Sequence, residues 1–487
     1  MRKVALKSLW LKRWAVLWSA GFALGVTIFF GRFAYRAARI AWASPEKWTE
    51  QAEAMLRHVG DQLRNHDGVE QFEKFLPDAG FVAYMVYGQA LVNVALAEPP
   101  GARKRAQFAG EVNWCLEQLS RPEFLEGFPN TQVPYGLFLL SRRTLLLAGL
   151  HLISDDSPSD VTEEYHDNCR AMADACESSL YGLVDSFPGF CWPVDNLVAL
   201  RCLRLHDEKF GTDYASVLDQ WKEWAESALD PKTRTLPLRV DSETGEVLAP
   251  GRGSVVGLSL IELRDVDEEV FRQQYVRFRR HFGKSFLGVQ TAREFADGPE
   301  GGSDIDTGPV IRGHGVLATV VGMVAAKLAG DLEAFCGPMG FIEAVGMPAK
   351  PNGMRRYLRG RVLPLDALAA YALSAVPWTK TAGRIRGLTT LPKAPWLFIA
   401  VLMATPFLTI GTAAVRYWYT ARKVRPLSLW HSPSPSLEGI VLFWCQLLVL
   451  LTLFFSALWF PVIWGAFGVI GKAAFLASRI IKQSERS

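Results

Sequence analysis

The chain has 487 residues, 49% of them hydrophobic and 21% charged, with a net charge of +4 and a mean hydropathy of +0.10. That length excludes a mini-protein needing covalent staples, and 12% aromatics without a low-complexity tract exclude a disordered chain. The charge is too small and too mixed for a nucleic-acid footprint, and long apolar runs near the two ends alone argue against a polytopic transporter.

In chain order, a basic start (MRKVALKSLWLKR) leads into an apolar run over 14–31. Arg32, Arg36 and Arg39 follow it, where a cleavable signal peptide would not tolerate them, so an uncleaved anchor is expected. A second span is expected over 395–415, and a third apolar run over 439–471 is too long for one simple crossing. The division is therefore a basic terminus and anchor over 1–44, a middle domain over 45–380 and a membrane region over 381–487. Positive charges on the flanks lean towards an extracytoplasmic middle domain on a bacterial inner membrane, with the lipid bilayer as partner.

Between the anchors the hydrophobic period is helical throughout. Helices are expected in pairs over 46–65 and 79–97, 103–119 and 133–152, 161–180 and 193–206, 213–229 and 254–264, 267–283 and 307–330, and 331–345 and 357–375. The first member of each pair is one-faced and charged, as in Glu268–Arg280; the second is apolar on nearly all sides, as in Gly315–Ala329. Seven cysteines form no CxxC pair and share no zinc-type spacing with histidine, so neither a metal nor another cofactor is expected. Cys169 and Cys176 stand two turns apart on one expected helix, about 10 Å, too far to bridge.

Six exposed helices alternating with six buried ones resemble the α/α toroid, the six-hairpin barrel of many glycosidases, polysaccharide lyases and sugar epimerases and of some terpenoid enzymes. The resemblance is one of architecture over the middle domain; it implies an all-α fold. Connections from an outer helix to its buried partner are long and those back are short, so the long loops gather at one mouth, over the N-termini of the buried helices. One of them, Thr235–Pro250, reads as a hairpin flap.

Candidate chemistry lies at that mouth. Asp304 and Asp306, in Gly301–Pro309, stand before the fifth buried helix; the plain alternative is an N-cap, with Asp306 or Thr307 ahead of Pro309. Asp195 opens the third buried helix behind Trp192, an aromatic suited to stacking on a sugar ring, and here too capping is the plain alternative. Carboxyl groups from separate helices facing one cavity are what acid and base catalysis on a glycoside requires. Arg252, Ser254, Glu294, Tyr135, His314 and Arg355 are the candidate substrate-binding groups from the remaining loops. The Asp304-Ile305-Asp306-Thr307 run resembles the Asp-rich motif of triterpene cyclases but ends in Thr, which departs from alkene protonation.

The sequence thus points first to a membrane-anchored toroid enzyme acting on a saccharide or lipid-linked saccharide by hydrolysis, elimination or epimerisation. A terpenoid or lipid isomerase is the second reading. A non-catalytic member of an envelope or polysaccharide-assembly complex, with membrane partners, is the third.

Overall fold

Charged, one-faced helices and helices apolar all round alternate along the chain, and the two kinds take different layers. The computed structural model describes residues 28–74, 79–154, 158–296 and 308–380, together with Gly25 and a few positions over 390–401. Among the described residues twelve principal helices run in chain order: α1 (Pro45–Asn65), α2 (Ala79–Leu96), α3 (Arg103–Leu119), α4 (Gly136–Ile153), α5 (Ser159–Ser178), α6 (Pro193–Phe210), α7 (Ala215–Ser227), α8 (Gly253–Val266), α9 (Glu268–His281), α10 (Val316–Ala329), α11 (Leu332–Val345) and α12 (Leu363–Ser374). Proline in the first turn starts α1, α6 and α12, where a missing N–H costs nothing. Asp267 caps α9 by accepting from the Glu269 and Val270 amides at 3.0 and 2.9 Å. Left-handed glycines, Gly211 and Gly330, end α6 and α10.

The even-numbered helices form a closed ring: each packs on the next, and α12 returns to α2. The odd-numbered helices lie outside it, α1 against α12 and α2, α3 against α2 and α4, α5 against α4 and α6, and α9 against α8 and α10. This is an α/α toroid of six hairpins, as the alternation predicts. The six described cysteines, Cys169 and Cys176 included, are free and buried in it.

The loops sort as expected. Each outer-to-inner connection is long, while the returns shrink to a single residue, Asp267, between α8 and α9. The expected flap is β1 (Arg239–Val240) paired antiparallel with β2 (Val247–Ala249). Two more hairpins were not anticipated: β3 (Gly283–Phe286) with β4 (Val289–Ala292), and β5 (Val310–Ile311) with β6 (His314–Gly315). The second corrects the fifth buried helix, which begins at Val316 and not at 307. Gly308 has positive φ and Pro309 leads into β5, whose hairpin turn is Arg312-Gly313, both also at positive φ, so this stretch is a hairpin and not a helix start. The N-cap of α10 is Gly315, so neither Asp306 nor Thr307 caps it. Likewise α12 begins at Leu363, six residues after the expected start, because 3₁₀ turns occupy Pro351–Gly353 and Leu358–Gly360.

After α12 the chain crosses under the ring. The Trp378 and Thr379 amides and the Thr379 hydroxyl donate to Asp265 of α8 at 2.8, 3.0 and 3.0 Å. Trp378 Nε1 donates to Asn93 of α2 at 2.7 Å, and the indole lies 4.4 Å from the Arg201 guanidinium of α6. A Cβ at Gly149 of α4 would come within 3.2 Å of the same ring. Trp378 thus touches four of the six ring helices and floors the barrel at the end opposite the loops.

The unit just described spans Tyr35–Phe398; the other, Met1–Ala34 with Ile399–Ser487, is described only at Gly25 and over 28–34 and 399–401, all helical. The expected spans at 14–31, 395–415 and 439–471 lie largely or wholly outside the described residues. Among the described residues one helix is long and apolar enough to cross a bilayer, and it is the ring helix α4.

Candidate active site at the mouth of the ring

Two loops are laced together over α4 and α6. The Asp185 amide donates to Gln132 Oε1 at 3.1 Å, and the Asp185 carbonyl accepts from the Leu137 amide and the Thr131 hydroxyl at 3.1 and 3.2 Å. Tyr135, at φ 59°, and Gly136, at φ 71°, form a left-handed pair that turns the chain into α4. Gly136 has no substitute there, since a Cβ would meet the Ser186 carbonyl oxygen at 2.5 Å. The strained Tyr135 is held by its amide donating to Asn130 at 2.9 Å, and it stands at the surface.

Beneath this lacing, Arg142 of α4 donates to Asp195 Oδ1 at 2.5 Å. Asp195 is wholly buried in the first turn of α6, while the Arg142 side chain keeps 17% of its exposure, so the pair opens on Arg142's side. Burial pushes the Asp195 carboxyl up from the usual range, against the pull of Arg142 and of the Ser186 hydroxyl, and the charge of Glu262 adds to the rise. Its Oδ2 is sealed from solvent and makes no full hydrogen bond with any described residue. Aromatic rings wall this spot: Phe128, Phe138 and Phe187 stack at 5.4 to 5.9 Å, Trp192 meets Phe187 edge-on at 5.5 Å, and Arg142 lies 4.8 Å from the Phe138 ring.

A second carboxyl sits at the start of the neighbouring ring helix. Glu294 is fully buried, its Oε1 accepts from Ser254 Oγ at 2.6 Å, and its backbone carbonyl receives the Gly253 amide at 2.8 Å. Arg252 precedes α8 with its guanidinium 5.4 Å from Phe295. Asp304 and Asp306 lie outside the described residues.

Two further candidates are engaged by other side chains. His314 lies in β6, not two turns into a helix; its Nδ1 shares a 2.7 Å hydrogen bond with Thr291, Phe286 meets it edge-on, and burial, Lys284 and Arg293 hold it below its usual value. Arg355 is buried and paired with Glu343 of the outer helix α11 at 2.5 Å, and Tyr357 donates to the same carboxylate at 2.5 Å.

The ring interior adds residues that the loops did not suggest. Arg201 of α6 pairs with Glu262 and Asp265 of α8 at 2.8 and 2.7 Å. Glu262 Oε1 and the half-buried Tyr371 hydroxyl of α12 take no hydrogen bond from the described residues. The one available signal was a charge set inside an otherwise apolar helix, as Arg142 is in α4 and Glu262 in α8. Among the described residues no group of three or more His, Cys, Asp or Glu side chains is arranged to hold a metal ion.

No family model matches the chain, and no curated protein matches it. Two similar solved structures belong to glycoside hydrolase family 76. One is an inactive variant of the α-1,6-mannanase of Salegentibacter sp. HEL1_6 bound to α-1,6-mannotriose, at 12% identity and a TM-score of 0.40, covering 67% of this chain and 100% of that one. The other is the α-mannanase of Bacteroides thetaiotaomicron, at 9% identity and a TM-score of 0.39, covering 68% and 95%. The toroid itself stands on the closed ring of contacts and not on these likenesses.

Proposed function

We propose that the chain is a toroid enzyme performing acid–base chemistry on a saccharide at the loop-bearing mouth, with its terminal apolar segments holding it to a bilayer and the toroid on the extracytoplasmic side. The observation that carries the reading is Asp195: a carboxyl whose proton is favoured by burial, oriented by Arg142, with one oxygen lacking a full protein partner. A glycosidic or ring-hydroxyl oxygen brought under Phe138, Phe187 and Trp192 supplies the missing partner, and Asp195 acts as the general acid. Glu294 and the carboxylates of Asp304 and Asp306 are the proposed sources of the base. Arg142 positions the acid and carries the charge left when the proton departs.

The stacked part of the wall is phenylalanine, without the polar edge that Tyr or Trp offers a sugar. That favours, as a second reading, an isoprenoid or lipid isomerase using the same acid. Both are tested by incubating wild type and Asp195→Asn with panels of oligosaccharides and of isoprenoid alcohols, following new reducing ends, unsaturated products and epimers. Turnover of a saccharide that disappears in Asp195→Asn supports the first reading. Turnover of the alcohols alone replaces it with the second, and activity retained in Asp195→Asn removes the acid from both.

A further inference from the structure

The ring runs α2, α4, α6, α8, α10, α12 and closes, so α12 stands opposite α6. Tyr371 of α12 nevertheless feels charges from three other ring helices. Burial raises its phenol above the ordinary range, the charges of Glu262 and Asp265 on α8 add to the rise, and Arg201 on α6 and Arg142 on α4 oppose it. Helical phase agrees. Asp366 of α12 lies 3.7 Å from His58 of the outer helix α1, and a residue five positions further on comes round to the opposite side, towards the axis. On α2, Tyr84 and Tyr87 face the outer helix α3, which puts Gln89 on the axial stripe with Val82, Val86 and Asn93. Polar side chains from five of the six ring helices therefore converge inside the ring.

Three of these groups are unused. Arg201 holds Glu262 by Oε2 at 2.8 Å and Asp265 at 2.7 Å, which leaves Glu262 Oε1 without a partner. The Tyr371 hydroxyl and the Gln89 amide likewise make no hydrogen bond with any described residue, and Glu262 and Gln89 are only 5% and 8% exposed. Yet none of the three groups is sealed, as Asp195 Oδ2 is, so they border open space inside the ring. That space is blind. Arg201 is six residues past Asp195 on α6, about 9 Å deeper, and its guanidinium lies 4.4 Å from the Trp378 ring that floors the barrel. Nearer the mouth, Val86, Leu258 and Leu368 keep accessible surface.

We infer that this pocket reads the free end of an uncharged saccharide: a terminal sugar unit enters end-on, its hydroxyls meet Glu262 Oε1, Tyr371 and Gln89, and the rest of the molecule lies out through the mouth past Asp195. The charges select the occupant. An anionic end would face Glu262 and Asp265, a cationic end would face Arg201 and Arg142, and an alkyl end would leave three buried polar groups without partners. A ring bearing several hydroxyls answers a carboxylate, a phenol and an amide at once, and its C–H edges suit the aliphatic side chains above them. The floor sets the mode of action. Nothing passes Trp378, so a unit within a long chain cannot reach the cluster, and the protein acts on ends. The inference deepens the acid–base reading and rests on it only for what Asp195 then does.

The test is calorimetric titration of the full-length chain in lipid nanodiscs with cellotetraose, maltotetraose and α-1,6-mannotetraose. Each is also titrated with one end capped, by a 4,6-O-benzylidene group on the non-reducing unit or by a 2-naphthyl glycoside at the reducing unit. At least one tetrasaccharide should bind, and one cap should weaken it about tenfold or more while the other leaves it bound. Tyr371→Phe and Gln89→Leu remove groups that have no protein partner. Each should weaken the uncapped sugar about three- to tenfold without lowering the urea midpoint. An equal effect of the two caps, or undiminished binding in both variants, overturns the inference; turnover that still depends on Asp195 then leaves the acid–base reading standing. Failure of all three tetrasaccharides to bind overturns the inference as well. End-selective binding with no conversion of the bound sugar keeps it and overturns the acid–base reading instead.

Discussion

The two ends of the ring are built from the same kinds of residue and behave differently. At the floor, Arg201 is flanked by Glu262 and Asp265, and one Asp265 oxygen receives three donors from Trp378 and Thr379, so nearly every charge has its partner and no long loop intervenes. At the mouth, Asp195 has Arg142 on one oxygen and no full hydrogen bond on the other, while six long connections converge overhead. A satisfied buried network fixes the closure of a ring; a buried acid left half-satisfied is a cost to stability that calls for a second explanation, and a ligand oxygen supplies one. The mouth is thus the end where substitution should alter chemistry, and the floor the end where it should alter folding.

The sharpest way to break that contrast is to exchange the effects. Asp265→Ala strips the floor strap of its acceptor and leaves Arg201 half-paired; breaking such a buried pair costs about 3–5 kcal/mol, read as a lowered urea midpoint. Asp195→Asn should move the midpoint far less, because Arg142 is partly hydrated already, yet lower turnover by roughly 10²–10⁴-fold. Were Asp195→Asn the more destabilising of the two, the mouth would be another structural brace. Ser254→Ala, which removes the hydroxyl from Glu294, is expected to cost about 1 kcal/mol and to weaken substrate binding alongside.

The floor and the mouth also differed in how far they could be foreseen. Helix period and the alternation of one-faced with all-round apolar helices located α3 to the residue and gave the ring, since burial on all sides leaves no other place for α4 or α10. The start of α10 was misread because Gly308-Pro309 suits a helix first turn as well as the approach to a strand, and local sequence does not separate the two; the hairpin turn at Arg312 and Gly313, both at positive φ, decides it. Asp195, Ser254 and Glu294 were legible because helix starts beside long loops are where a toroid exposes its interior. Arg142, Glu262 and Tyr371 were not, because a mid-helix charge or phenol reads as a surface residue until closure of the ring turns that face to the axis. The Trp378 strap has no periodicity, and its place follows only from the acceptors that Asp265 and Asn93 present.

The smallest expected effect is a difference in sign between buried carboxyls and buried histidines. Near the mouth, burial raises the carboxyl of Asp366 to about 7, with the Tyr357 amide and nearby arginines opposing, and raises Asp195 as well. A carboxyl raised on folding binds a proton that the unfolded chain has already released, so its contribution to stability is present below the ordinary carboxylate range and is lost as pH climbs through about 4 to 7. Towards the floor, burial lowers His151 and His206 to about 4, with Lys209 and the neighbouring histidines adding to it. Thr212 donates to Asp207 at 2.6 Å, so its hydroxyl accepts from His206 Nδ1 at 2.8 Å, and a neutral His206 accepts at Nε2 from His166 Nδ1 at 2.8 Å. A histidine lowered on folding contributes stability that is present above about 6.5 and is lost as pH falls towards 4. The opposed slopes span the same window and largely cancel in the wild type. Asp366→Asn should expose the histidine slope, with the urea midpoint rising from pH 4.5 to pH 7; His206→Gln should tilt the profile the other way. Parallel profiles for both variants would show that Asp366 and His206 do not titrate in opposite senses.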